Sequence, residues 1–287
     1  MESIRCTEDF LDIDGHQPKE GTESRATILW VHGLGEYATR YDALLRRLSN
    51  NLSVTIKGFD HPGHGKSSGN RGCGNYNVSY KTLDQLASTL DTAKTNMVFG
   101  HSMGGAIALT WALQRKAKNQ KPFAVISSAP AIATPNPPSK FLRWIVGLLC
   151  KIGLSNFCIG NALDLNGISR DPECIRQYRD DTMVHGRISL SAARDLFNNG
   201  DWLLENASSF DAPLLLYHGD KDRLTSHTGS EAFFSSISSK DKTLKILPGY
   251  YHEMHNEPLE EREKVIEMLE GWIRERLEGT SSIANID

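Results

Sequence analysis

Residues Asn96 to Ala112 read NMVFGHSMGGAIALTWA, a short apolar run that ends in Gly100, His101, Ser102, Met103 and Gly104 and opens directly into a segment of helical pattern. A serine at the apex of such a strand-to-helix turn is held in a strained backbone conformation. Only residues without a Cβ fit two positions to either side of it. Gly100 and Gly104 meet that demand. The turn would lift the Ser102 hydroxyl clear of a sheet, and the Met103 amide, first in the helix, would face the place where an oxyanion forms. A G-x-S-x-G string also recurs by chance. The rest of the chain must therefore supply a base, an acid and a second amide in a fixed order.

The first strong strand signal is Ala26 to Val31, ATILWV, a continuous apolar run suited to a parallel strand covered on both faces. It ends in His32, Gly33, Leu34 and Gly35, a loop able to fold tightly over a sheet end. The Leu34 amide is the candidate second oxyanion donor. Glu36 and Arg40 follow four apart, with Leu44, Leu45 and Leu48 continuing at helical spacing, so the pair reads either as a solvated ion pair or as the border of a pocket. Val54 to Phe59 is a further strand. The glycine that a phosphate loop ending in Gly65, Lys66 and Ser67 would require falls on Asp60, which excludes that loop. A helix is expected over Tyr80 to Ala93, the helix after Ser102 is expected to run to about Lys118, and Phe123 to Ile126 is the next strand. A weak edge strand is expected over Glu8 to Asp14.

The alternation of strand and helix then stops until Ala212. Four prolines fall within PAIATPNPPSK, and the residues from Ala131 to Ser208 form a mostly helical insertion. Within it, Phe141 to Leu154 is apolar on nearly all sides at about 14 residues, short of the ~20 needed to span a bilayer. Such a helix either packs on the core or forms a lid that touches lipid or lines an acyl tunnel. Pro213 to Tyr217 restores the sheet and leads to His218, Gly219, Asp220, Lys221 and Asp222, where either aspartate could be the acid. Leu244 to Leu247 is the last strand, and His252 on the following loop is placed to serve as base. H-E-M-H is one residue too short for a zinc protease motif, and no metal is expected. Leu259 to Leu277 reads as a closing amphipathic helix and the rest as a frayed tail.

Together HGLGEYATRY, FDHPGHGKSSG, GHSMGG, SRDPECIRQYRDD, HGDKD and DKTLKILPGYYHEMHNE resemble the α/β hydrolases, and more narrowly the monoacylglycerol lipases and their lysophospholipase-like relatives. The resemblance covers nearly the whole chain. It implies an α/β fold with a mostly parallel central sheet flanked by helices, a hydrolase core of residues 1–130 and 209–287, and a mainly helical cap over 131–208. It selects Asp222 as the acid beside Ser102 and His252, and gives Leu34 and Met103 the oxyanion amides. It also implies substrate contacts for Glu36, Arg40, Tyr178 and His255, and a lid built on Phe141, Trp144, Ile145 and Leu148.

The reaction implied is hydrolysis of a lipid ester through an acyl-enzyme, first of all monoacylglycerol to glycerol and fatty acid, with no cofactor. A lysophospholipase, an acyl thioesterase, a peptidase and a non-catalytic ligand-binding relative are the alternatives. Lys and Arg number 32 against 35 Asp and Glu, a net charge of −3, so no basic field points to nucleic acid. Cys6, Cys73, Cys150, Cys158 and Cys174 are odd in number and irregularly spaced, and MESIRCTEDF lacks the apolar stretch of a signal peptide. A reducing, cytoplasmic setting is expected, with peripheral contact at a membrane or lipid-droplet surface through the cap. The oligomeric state is not legible.

Overall fold

The computed structural model describes residues 12–281. Seven strands form the main sheet: β1 (Asp12–His16), β2 (Ala26–Val31), β3 (Thr55–Phe59), β4 (Thr95–His101), β5 (Ala124–Ser128), β8 (Leu214–Gly219) and β9 (Lys242–Leu247). The order across the sheet is β1-β3-β2-β4-β5-β8-β9, with β1 antiparallel to β3 and the remaining pairs parallel. The expected edge strand, Glu8 to Asp14, overlaps β1 from Asp12 to Asp14, and β1 continues to His16. The part of that expectation before Asp12, and Cys6 with it, lies outside the described residues.

Continuous apolar runs become central strands here because both faces are covered, and the two-residue period sorts their side chains. Leu29, Val31, Val98, Val125, Leu214 and Leu216 face one buried layer, and Ile28, Trp30, Met97, Phe99, Ile126, Leu215 and Tyr217 face the other. The first layer is completed by α2 (Tyr76–Ser88), α3 (Met103–Ala117) and α7 (His227–Ser236), the second by α1 (Asp42–Leu52) and α8 (Leu259–Ser281). Each such side chain, fully buried, contributes roughly 1.5–3 kcal/mol of transfer free energy. α3 carries eleven buried residues, from Met103 to Leu113, as expected of a helix lying across the middle of the sheet.

Two helices differ from the sequence reading. α2 begins a turn before Tyr80 because the Asn75 side chain caps it, accepting from the Asn77 N–H at 3.0 Å, and it ends at Ser88. Glu36 lies on no helix: a 3-10 turn covers Ala38–Tyr41 and α1 follows it. The expected tail is helical as far as Ser281, and residues 282–287 lie outside the described part.

Between β5 and β8 the chain leaves the sheet and forms α4 (Lys140–Leu149), β6 (Cys158–Gly160), α5 (Pro172–Asp180), β7 (Arg187–Ser189) and α6 (Leu190–Asn206). β6 and β7 pair as a short antiparallel ribbon, an element too brief to register in the sequence pattern. A single turn of π-helix over Cys150–Leu154 continues α4 and is broken at Ile152 and Gly153.

Candidate active site

The parallel register brings the C-terminal ends of β2, β4, β8 and β9 to one edge, and the loops holding Leu34, Ser102, Asp222 and His252 all leave from that edge. Ser102 sits at φ 56°, ψ −119°, between β4 and α3. The flanking glycines are required by contact. A Cβ on Gly100 would lie 2.2 Å from the Gly104 carbonyl oxygen, and one on Gly104 would lie 2.1 Å from that of Val31. The turn is pinned through its backbone, with the Ser102 N–H donating to Ser128 O at 2.8 Å and the Ala131 N–H to Ser102 O at 3.0 Å. Met103 is the first residue of α3, so its N–H has no carbonyl one turn back to bond within the helix.

The loop after β2 is gripped on both sides of Gly33. The His61 N–H donates to His32 Nε2 at 3.0 Å, which leaves the His32 proton on Nδ1, where it donates to Gly33 O at 2.8 Å. The Gly33 N–H donates to Glu36 Oε1 at 2.6 Å. A Cβ on Gly33 would stand 2.6 Å from Glu36 Oε1 and 3.1 Å from the Ser102 Cβ, so a side chain there would crowd both, and the next residue, Leu34, lines the cavity.

The two aspartates after β8 part company. Asp220 Oδ1 accepts from the Gly249 N–H at 2.6 Å and braces the loop after β9. Asp222 Oδ2 lies 2.6 Å from His252 Nδ1 and also accepts from Thr225 Oγ1 at 2.8 Å and His218 Nε2 at 3.0 Å. Its Oδ1 accepts the N–H groups of Leu224 at 2.7 Å and Thr225 at 3.0 Å. Burial alone would raise its pKa, but the two histidines and these bonds hold it well below the usual carboxylate range. His252 is buried, which favours its neutral form. The Asp222 carboxylate, with Glu253 and Glu36 further off, outweighs that and leaves its pKa raised. With Nδ1 committed to Asp222, Nε2 is the nitrogen left for the cavity that the ring lines.

That cavity has a volume of about 440 Å³, and Ser102, Met103, Leu34 and His252 share its wall with Glu36, Tyr178 and Glu253. Its wall also carries the apolar Val146, Ile159, Ile188 and Leu196. Of the four residues expected to touch substrate, Glu36 and Tyr178 line it. Arg40 and His255 do not. The Arg40 guanidinium is engaged by Glu253 Oε1 at 2.7 Å and Oε2 at 2.9 Å, by Glu36 Oε2 at 3.1 Å and by the Tyr41 hydroxyl at 3.1 Å, and it stacks 4.7 Å from the centre of the Tyr178 ring. His255 is buried against Tyr41 and His101, and burial pushes its pKa down to about 4.

Glu253 is the member of this cluster that the sequence reading passed over. It adjoins His252, and the second carboxylate that a buried Arg40 demands is the signal that finds it. Burial, helped by Glu253, pushes Glu36 up to about 7 against the pull of Arg40, whereas Arg40 holds Glu253 down despite its burial.

α4 has no buried residue, so it is not a core helix. The expected lid residues do not line the cavity: Phe141 is 68% exposed, Trp144 63% and Leu148 46%, while Ile145 is half-buried. At 100° per residue the inward side is instead Leu142, Arg143 and Val146. Among the described residues no helix is long and apolar enough to cross a membrane.

The profile of the family described as serine aminopeptidase, S33, matches residues 22–259. A monoacylglycerol lipase of Mycolicibacterium smegmatis is 33% identical over 257 residues, covering 88% of this chain and 89% of that protein. An uncharacterized abhydrolase domain-containing protein of Dictyostelium discoideum is 36% identical over 259 residues, and the match spans 90% of this chain but 27% of that longer protein. The crystal structure of a Paleococcus ferrophilus monoacylglycerol lipase superposes with a TM-score of 0.84 at 31% identity, covering 93% of this chain and 99% of that one.

Proposed function

Since the chain belongs to the serine aminopeptidase S33 family of α/β hydrolases and is a carboxylic ester hydrolase, we propose that its substrate is a monoacylglycerol, cleaved at Ser102 to a free fatty acid and glycerol. The observation that carries this reading is a single cavity whose wall holds Ser102 and His252 together with the polar Glu36 and Tyr178 and the apolar Val146, Ile188 and Leu196. A long acyl chain gains about 0.8 kcal/mol per methylene buried against the apolar residues. Beside Glu36 and Tyr178 a single glycerol keeps its free hydroxyls against polar groups, whereas a second or third acyl chain would meet those groups with hydrocarbon.

His252 Nε2 takes the Ser102 proton as the hydroxyl oxygen attacks the ester carbonyl, and the Leu34 and Met103 amides stabilise the tetrahedral oxyanion. His252 then passes the proton to the departing glycerol oxygen. Water, activated by the same imidazole, attacks the acyl-enzyme and frees the acid. Asp222 keeps the His252 proton on Nδ1 and stabilises the imidazolium. Residues 131–208 act as the cap, and the outer face of α4, with Phe141, Trp144 and Leu148, meets a membrane or lipid-droplet surface while Lys140 and Lys151 stay near head groups. A peptidase would need an open carboxylate for the substrate amine, and both Glu36 and Glu253 are taken by Arg40.

The test is a panel of matched-chain monoacylglycerol, lysophosphatidylcholine, triacylglycerol and acyl-CoA, with Ser102→Ala as the inactive control. Monoacylglycerol should lead clearly in kcat/KM. A lead by any other ester, or fluorophosphonate labelling that persists in Ser102→Ala, would overturn the reading.

A further inference from the structure

Cys73 and Cys158 stand 85 positions apart in the sequence, and their sulfurs are 3.4 Å apart in the fold. They belong to different parts of the molecule: Cys73 lies in the loop between β3 and α2, and Cys158 opens β6 in the segment inserted between β5 and β8. The backbone builds this contact. The Ser189 N–H donates to Gly72 O at 2.8 Å, and Ser189 is the residue paired with Cys158 across the ribbon. Gly72, at φ 85°, approaches so closely that a Cβ there would stand 2.7 Å from the Arg187 carbonyl. Each thiol reaches a carbonyl of the opposite segment, Cys158 Sγ donating to Arg71 O at 3.4 Å and Cys73 Sγ to Asn156 O at 3.6 Å. Cys73 is 1% exposed, whereas Cys158 is half-buried.

A disulfide needs its sulfurs at about 2.05 Å, so these two must close by roughly 1.4 Å to bond. We propose that Cys73 and Cys158 are a reversible dithiol–disulfide pair that latches the inserted segment to the core beside the cavity. The co-reactant is a low-molecular-weight disulfide such as oxidised glutathione. The Cys158 thiolate, the accessible one, attacks one sulfur of that disulfide; its S–S bond breaks and one glutathione thiolate leaves. Cys73, already in contact, attacks Cys158 Sγ in the mixed disulfide and displaces the second glutathione. The two cysteine protons end on the two released thiols, so the protein pair loses two electrons and the reagent gains them. Ile159 and Gly160, next to Cys158, and Ile188, next to Ser189, line the cavity, so the bond fixes one of its walls.

Formation of the bond does not depend on which ester is hydrolysed; only its kinetic consequence rests on the proposed function. Full-length protein incubated with oxidised glutathione, alkylated and digested without reduction should give a peptide joining Cys73 to Cys158. The melting temperature should rise by about 5 °C or more, since a long loop is closed, and fall back with dithiothreitol. Turnover of a long-chain monoacylglycerol should drop at least about threefold relative to a short soluble ester, because the long chain needs the wall to move. Cys73→Ser should lose the joined peptide and both shifts while keeping the activity of the reduced protein. A stable mixed disulfide on Cys158 with Cys73 still open to alkylation would overturn the pair. A joined peptide with unchanged melting and an unchanged ratio of the two activities would overturn the latch. Were neither ester cleaved, the peptide and the melting shift would still decide it.

Discussion

Glu36 Oε1 accepts the Gly33 N–H at 2.6 Å, so a carboxylate belonging to a buried ion cluster also holds the loop that carries the Leu34 amide. One side chain thus joins the charge balance around Arg40 to the geometry above Ser102.

Glu36→Ala should accordingly do two kinds of damage. It removes one partner of the buried Arg40, a change that costs about 3 kcal/mol, and it frees the Gly33 amide. Loss of the loop's position should lower kcat by about 10–100-fold, with a smaller change in KM, because a displaced oxyanion donor acts on the transition state. Glu36→Gln keeps an acceptor for Gly33 and should stay within about tenfold of wild type. Thermal unfolding and steady-state kinetics on the three proteins test this, and a fully active, equally stable Ala variant would contradict it.

The pH profile should carry the mark of the same cluster. His252 must be neutral to accept the serine proton, and its pKa lies above the ordinary imidazole value of about 6.5, so kcat/KM should rise with pH through a limb placed above that value. The acids facing His252 are Asp222, Glu253 and Glu36, and its imidazole neighbours His101 and His255 are pushed toward their neutral forms, chiefly by burial. Glu36→Gln removes one anion that favours the charged imidazole. The limb should move to lower pH, and a limb that stays or moves up would exclude Glu36 from the field acting on the base.

Asp222→Asn should reduce kcat by about 10⁴-fold, as loss of the orienting carboxylate does in other triads, and Asp220→Asn, which only loosens the turn at Gly249, should be mild. Asp222 also makes stability depend on pH. The folded pKa of Asp222 lies below its unfolded value, so the carboxylate stabilises the fold above pH ~4 and that contribution fades as pH falls. The melting difference between wild type and Asp222→Asn should therefore shrink in acid, and equal differences at pH 3.5 and 7 would argue against it.

Trp144→Asp combined with Leu148→Asp should abolish flotation with anionic liposomes while leaving hydrolysis of a short soluble ester unchanged, since both side chains stand in solvent on the outer face of α4. Equal flotation of both proteins would assign that face no role at the lipid surface.

How much of this was legible follows from the range of the forces involved. Runs such as ATILWV and NMVFG announce strands because burial on both faces imprints itself on consecutive residues, and β2 matches its expected span residue for residue. The turn at Ser102 announces itself through Gly100 and Gly104, whose contacts are local to the motif. Asp222 could not be told from Asp220 by spacing, because what separates them is a bond to a residue 30 positions away. Arg40 and His255 read as pocket residues, yet one is enclosed by Glu36 and Glu253 and the other by aromatic rings, and no periodicity reports which side of a loop a side chain takes. The cysteines make the same point: irregular spacing in the chain concealed a pair that touches in space.

Ser102 occupies a positive φ without glycine's freedom, and that strain costs of order 1–3 kcal/mol. Drift toward greater stability would favour a glycine in its place and a silent protein that folds better. The serine therefore persists against the thermodynamic gradient of its own scaffold, and lineages of this fold released from the need for chemistry should shed the hydroxyl before they lose the sheet that presents it.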